Sequence, residues 1–278
     1  MSIIGKVMDT PPARELSCGA RSWAKAEILP WDAEIFGFPV GELSLHGEAV
    51  LSAELDEARS SLQEWARRTG ARLAAASIDA GRLDWAAALP LLGFRCVDAS
   101  LRMTLPNLRR RRKVLSAGGV RRAVPADHPG LVAIASTAFD FGRYHRDALF
   151  PRALADRRFG EWMRRSLSEG AASDRFCVLG PEGAPRAFMF ARADGARAEL
   201  LLGGVSREHA NGLLGPQLFE GSLAALESEG VRSASAKISA ANTAVLNLYA
   251  GIGFAASDAG FVYHWHSAER SGEAAVES

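Results

Sequence analysis

Apolar positions along this chain alternate between short β-like runs and amphipathic helical stretches over nearly its whole length. Leu55, Ala58, Leu62 and Trp65 recur three or four residues apart, which predicts a helix over 53–68. Strands are expected at 25–29 and 40–45, on either side of a segment running from Trp31 to Phe38. Further on, 120–124 reads as a strand and 126–139 as a helix with Asp127 near its start. A second helix over 154–167 carries Phe159, Trp162 and Met163 as an apolar stripe. Antiparallel strands follow at 176–179, 186–193 and 196–205, with turns at Pro181-Glu182-Gly183 and Asp194-Gly195. A helix over 213–229 and a strand over 231–239 complete the pattern, and a last helix and strand follow. The expected class is α/β: in each half, a mixed and mostly antiparallel sheet flanked by helices.

The two halves repeat. Shifted by 160 places, ARLAAASIDAGRLDWAAALPLLGF (71–94) lies over VRSASAKISAANTAVLNLYAGIGF (231–254) without a gap. Gly70 meets Gly230, Ile78 meets Ile238, and Gly93-Phe94 meets Gly253-Phe254. A repeat this long predicts two copies of one fold rather than a solenoid. The copies differ where chemistry would sit, with Arg82 in place of Asn242 and Leu89 in place of Tyr249. The first copy therefore keeps the apolar frame and loses the polar groups. The expected division is a degenerate copy over 1–105, a linker over 106–118, a catalytic copy over 119–268 and a disordered tail over 269–278.

Charge narrows the choice of partner. A formal net charge of +1 on 278 residues argues against nucleic acid. The one basic run, 109–113 (RRRRK), reads as a solvated linker. Cys18, Cys96 and Cys177 are scattered without metal-ligand spacing, so reduced thiols, a cytoplasmic setting and no metal are expected. Neither a signal pattern nor an apolar run of membrane-spanning length is present, so no membrane partner is expected.

The spacing Asn242-x6-Tyr249-x3-Gly253-Phe254, from a strand end through one helix to its stop, resembles the C-terminal signature of GCN5-related N-acetyltransferases. That resemblance implies tandem copies of the acetyltransferase fold and acetyl-CoA as co-substrate. It also implies transfer of the acetyl group to the primary amine of a small molecule. Tyr249 is implied as the acid for the leaving thiolate, since a phenol with a pKa near 10 stays protonated at neutral pH. Glu199, on the strand flanking the expected cleft, is the candidate base, with His145 the alternative. Coenzyme contacts are expected from Leu202, Gly203 and Val205 on that strand and from Asn211, Gly212, Leu214 and Gly215 at the following loop and helix start. Asn242 and Asn247 on the last helix complete the set, Asn242 bonding the pantetheine, capping the helix, or both. The family's phosphate pattern is Arg/Gln-x-x-Gly-x-Gly/Ala. Counting from Val205 puts Ala210, Leu213 and Gly215 at its positions, a departure because a leucine side chain would stand where backbone must approach phosphate.

Arg143, Tyr144, His145 and Arg146 are crowded into one loop and are expected to hold an anionic acceptor with a flat ring. Leu29-Pro30-Trp31-Asp32 with Phe36-Gly37, Leu92-Gly93-Phe94-x-x-Val97-Asp98, and the segment from Arg143 to Trp162 resemble bacterial two-domain enzymes of the dTDP-fucosamine acetyltransferase type. These imply a nucleotide-linked amino sugar as acceptor. Two alternatives stay open: another small amine (aminoglycoside, amino-acid-like or polyamine), or a non-catalytic acyl-CoA-binding module. A homodimer is compatible with either.

Overall fold

The structure, a computed structural model, describes residues 11–113, 118–210 and 212–267. The tail at 269–278 and part of the linker, 114–117, lie outside the described residues. In chain order the elements are β1 (Arg14–Cys18), β2 (Arg21–Ile28), α1 (Pro30–Phe36), β3 (Val40–Leu45), α2 (Leu55–Thr69), β4 (Leu73–Asp79), α3 (Leu83–Leu91) and β5 (Arg95–Leu105). There follow β6 (Val120–Arg122), α4 (His128–Ala135), α5 (Arg152–Ser168), β7 (Asp174–Leu179), β8 (Ala187–Asp194), β9 (Arg197–Val205), α6 (Leu214–Ser228), β10 (Ser233–Ser239), α7 (Thr243–Ile252) and β11 (Ala255–His266). The expected α/β class is what is found. Sequence pattern missed β1 and α1, both too short to show a period.

The repeat holds element by element. Adding 160 to the bounds of β4 gives those of β10, and the same shift carries α3 onto α7 and β5 onto β11 to within a residue. Gly93 and Gly253 both close their helix with a left-handed φ, +92° and +112°, which an L side chain rarely adopts.

Contacts divide the chain into two compact units, residues 1–98 with 260–278, and residues 99–259. In the first, β1, β2, β3 and β4 follow in order, and residues 260–266 of β11 pair antiparallel with β4. Its core gathers Trp23, Leu62, Trp65, Trp85, Leu89 and Trp265. α2 lies so close to β3 that a Cβ at Gly41 would stand 2.2 Å from Trp65. In the second unit residues 100–105 of β5 pair with β10, and the sheet runs on through β9, β8, β7 and β6. Among the described residues only β9 and β10 are parallel there. One face packs on α4 and α5 through Leu131, Ile134, Met163, Phe188 and Phe190. The other packs on α6 and α7 through Leu218, Phe219, Leu223, Tyr249 and Ile252. The closing strand of each copy thus completes the sheet that holds the other copy's penultimate strand. We keep the boundaries at 105 and 119 as a proposal about where the copies begin; the compact units follow strand pairing instead.

The basic run departs from the solvated reading at one position. Arg109, Arg110, Arg112 and Lys113 are exposed, but the Arg111 side chain is only 5% exposed and bonds Glu220 at 2.8 Å, Glu227, and the Leu108 carbonyl at 2.9 Å. Glu220 is 1% exposed and its Oε2 has no partner. The reason is a single buried carboxylate on α6, which calls one guanidinium out of solvent. Replacing Arg111 with Ala should destabilise the protein by about 3–5 kcal/mol, the cost of stranding a buried charge. Arg110→Ala should cost less than about 0.5 kcal/mol. Urea midpoints compare the two, and adding Glu220→Leu to Arg111→Met should recover most of the loss.

Candidate active site

The second unit's sheet opens between its two parallel strands. β9 and β10 pair at Arg197↔Ser233, Ala198↔Ala234 and Glu199↔Ser235, and no further, although β9 continues to Val205 and β10 to Ser239. On the other edge of β9 the register with β8 shifts. Leu200 faces Ala191 and Leu202 faces Phe190, so Leu201 is an extra residue. Ala198 and Leu200 belong to the α6/α7 core, whereas Leu202 belongs to the α4/α5 core. Such a bulge bends its strand and increases the local twist. Beyond Glu199 the two strands therefore present backbone donors and acceptors across a gap. An extended amide chain fits that need, because it can bond to both edges.

Both strands lead into helices at the same end of this opening. β9 ends at Val205, a 3₁₀ turn covers Arg207–His209, and α6 starts at Leu214. First-turn amides of a helix have no intrahelical partner and attract anions. At α6 these are the N–H groups of Leu214 and Gly215; Pro216 has none, and the Gln217 N–H bonds the Leu213 carbonyl at 3.0 Å. Space there is open: a Cβ at Gly212 would meet nothing nearer than 3.7 Å, and one at Gly215 nothing nearer than 4.0 Å. Leu213 is 69% exposed at the helix start. Asn211 lies outside the described residues. Arg207 is a residue the count from Val205 passed over. Counted from Arg207, Ala210 and Gly212 take the two glycine places of the phosphate pattern, and the Arg207 side chain is fixed by a bond to the Thr137 carbonyl at 3.0 Å. Of the strand residues, Leu202 is buried, Gly203 is exposed and a Cβ there would press on Met189 at 3.1 Å, and Val205 is half-buried.

α7 starts at the opposite lip. Asn242 caps it, its Oδ1 accepting from the Val245 N–H at 3.3 Å, and Asn247 is exposed. Tyr249 is 6% exposed, its ring held edge-on by Phe219 at 4.4 Å and Phe254 at 4.8 Å. Burial pushes its phenol well above the usual range, so the proton is retained across neutral pH. Glu199 sits at the last paired position before the opening, on the face opposite Ala198 and Leu200. Its side chain is exposed and lies 3.5 Å from Arg102.

The structure separates the members of the 143–146 loop. His145 is buried: its Nε2 bonds Asp156 at 2.8 Å, its ring stacks on Phe159 at 5.5 Å, and its Nδ1 has no hydrogen-bond partner. Tyr144 is buried against Phe150, with Arg143 and Arg158 lying over its ring at 5.0 and 5.4 Å. Arg146 alone of the four is exposed.

The first unit shows the same frame with its junction bridged by side chains. β3 and β4 are parallel over 40–43 and 73–76, the counterparts of β9 and β10. The loop after β3 is tied to the start of α3: the Gly47 carbonyl accepts from Arg82 at 2.5 Å and from the Trp85 indole at 3.3 Å, and Asp84 accepts from the Ala49 N–H at 3.2 Å. The Arg82 guanidinium beside Asp84 lowers its carboxyl to about 2. Trp85, at the place of Val245, is fully buried and 6.2 Å from Trp23. Side chains thus tie the loop to the helix in the first unit, beside a cavity lined by Arg21, His46, Gly47, Ala49 and Glu54.

No protein-family model and no curated protein matches the chain. Solved structures do. A GCN5-related N-acetyltransferase from Sphaerobacter thermophilus aligns with a TM-score of 0.61 at 15% identity, covering 88% of this chain and 77% of that one. A tandem protein of the same type from the clavulanic acid biosynthesis pathway gives 0.54 at 17% identity, over 90% and 81%. A GCN5-related glucosamine N-acetyltransferase region of a fungal multi-domain β-N-acetylglucosaminidase gives 0.60 at 13% identity, over 87% of this chain and 31% of that one. The chain has the fold of the GCN5-related N-acetyltransferases.

Proposed function

We propose that the chain is an acetyl-CoA-dependent N-acyltransferase acting on the primary amine of a small molecule. The observation that carries this reading is the parting of β9 and β10 after Glu199 and Ser235, with the N-termini of α6 and α7 at one end of the gap. The two unpaired edges suit the amides of a pantetheine arm, and the first turn of α6 with Arg207 and Gly212 suits its pyrophosphate. Glu199 takes the proton that the amine sheds as its nitrogen attacks the thioester carbonyl. As the carbon–sulfur bond breaks, the Tyr249 phenol delivers its proton to the departing sulfur. Burial disfavours a free phenolate and so weakens Tyr249 as an acid; the proton it lends is restored from solvent, into which Glu199 releases the proton taken from the amine.

For the acceptor we infer a nucleotide-linked amino sugar. Support comes from the resemblance to enzymes of the dTDP-fucosamine type, from the exposed Arg146 with Arg143 on the same loop, and from the amino-sugar acetyltransferase among the similar folds. The other readings remain a different small amine or a binding module without turnover. Release of free thiol from acetyl-CoA across a panel of amines separates all three. We place the protein in a bacterial cytoplasm, consistent with three free thiols; no helix among the described residues is long and apolar enough to cross a membrane.

Tyr249→Phe should fold normally and lose at least about tenfold in turnover, with little change in acetyl-CoA affinity. Full turnover in that variant would remove Tyr249 from the acid role. Since Arg82, Asp84 and Trp85 occupy the first unit's junction, titration should give one acetyl-CoA per chain. Calorimetry reporting two equivalent sites would contradict the filled first copy. Arg146→Ala should raise the KM for a nucleotide sugar roughly 10–100-fold while leaving acetyl-CoA binding alone. An unchanged KM would move the diphosphate off this loop.

A further inference from the structure

At β10 and β5, the face of the second unit's sheet opposite the α6/α7 core is polar. Ala234, Ala236 and Ile238 of β10 and Met103 and Leu105 of β5 face the α6/α7 core. Strand alternation therefore turns Ser235, Lys237, Arg102 and Thr104 to the opposite face. There Lys237 and Arg102 are direct antiparallel partners, as are Ser235 and Thr104. Two like charges set directly opposite each other destabilise a strand pair. Among the described residues Glu199 answers Arg102 alone, 3.5 Å away across the small Ser235. Lys237 is exposed, and no acidic group lies within ion-pair distance of it among the described residues. Its position is also particular. Lys237 lies two residues past the last β9–β10 pair, at the mouth of the opening, on the same face as Glu199.

We propose that Lys237 and Arg102 form an oxyanion-binding subsite for the acceptor, whose substrate class is then a primary amine carrying a carboxylate or phosphate close to the amino group, the sugar-proximal phosphate of a nucleotide-linked amino sugar being one such anion. The proposal rests on the acyltransferase reading for the identity of the acceptor, but the subsite itself is defined by charge and register. An oxyanion bridging the two cations removes their repulsion. The arginine offers a planar fork and the lysine a point charge, a combination that accepts either anion. Glu199 stays beside the subsite to receive the amine's proton. The acceptor is then held by its anion at the mouth of the opening, with its nitrogen turned to the thioester.

Two measurements test this. The first compares matched acceptors, an amino acid with its amide and an amino sugar with its phosphate ester. Wild type should prefer the charged member of a pair by at least about tenfold in kcat/KM, through KM rather than kcat. Lys237→Met and Arg102→Met should each shrink that gap toward unity by raising the KM of the charged member. Equal use of both members by wild type would overturn the proposal. The second needs no turnover. The chain has four lysines, so reductive ¹³C-methylation gives few signals, and Lys237→Arg identifies that of Lys237. Titration with inorganic phosphate and with malonate should shift the Lys237 signal, the anion acting at lower concentration marking the acceptor as phosphate- or carboxylate-bearing. A Lys237 signal unmoved by both anions overturns the subsite. A signal that moves in a protein that neither binds nor turns over acetyl-CoA would leave the subsite standing and defeat the acyltransferase reading instead.

Discussion

An extra residue at Leu201 is the constraint on which the second unit depends. A parallel pair of strands ordinarily bonds along its whole shared length, leaving nothing between for a ligand. Here the bulge turns Leu202 into the α4/α5 core, where Leu200 still served the α6/α7 core, and pairing with β10 has already ended at Glu199. Each face thus keeps a leucine through the bend in β9. What opens is the line between the strands. Because β9 and β10 run the same way, the helices that follow them begin at the same end of that line. Crevices outside the carboxyl ends of parallel strands are where open α/β sheets bind ligands, and helix N-termini are suited to anions.

The two copies share this frame and divide its use. At the junction of strand, loop and helix, the first copy spends its polar side chains on its own backbone: Arg82 and Trp85 on the Gly47 carbonyl, Asp84 on the Ala49 N–H. In the second copy the same junction has Asn242 capping α7 and Val245 in place of a tryptophan. Leu89 and Tyr249 are both buried at equivalent places, so apolar packing survives in either copy, and the second copy adds an aromatic ring and its hydroxyl.

Charge follows the same economy of placement. The whole chain is nearly neutral, yet single cations decide local matters. Arg111 is drawn from a solvated run into α6 by the buried Glu220, and Arg207 is held at the start of the loop before α6 by a carbonyl. His145 and Tyr144 looked from sequence like part of a ligand-reading loop, but Asp156, Phe159 and Phe150 commit them to packing. The surface of that loop is left to Arg146.

The sequence by itself determined the α/β class, the repeat, and the run from Asn242 to Phe254, because each rests on local periodicity or on a fixed offset that survives folding unchanged. β4, α3 and β5 could be laid over β10, α7 and β11 from letters alone. α1 and β1 could not be seen, being shorter than the windows in which a period is visible. Tertiary structure decided the rest. Which strand completes which sheet is a matter of long-range pairing, and no local pattern told that residues 260–266 join β4 while 100–105 join β10. The bulge at Leu201 is invisible in a leucine run, since Leu200, Leu201 and Leu202 are the same letter facing different cores. Burial of Arg111, Tyr144 and His145 likewise followed from single partners distant or offset in the chain, and a charged or aromatic residue in a sequence does not announce whether such a partner awaits it.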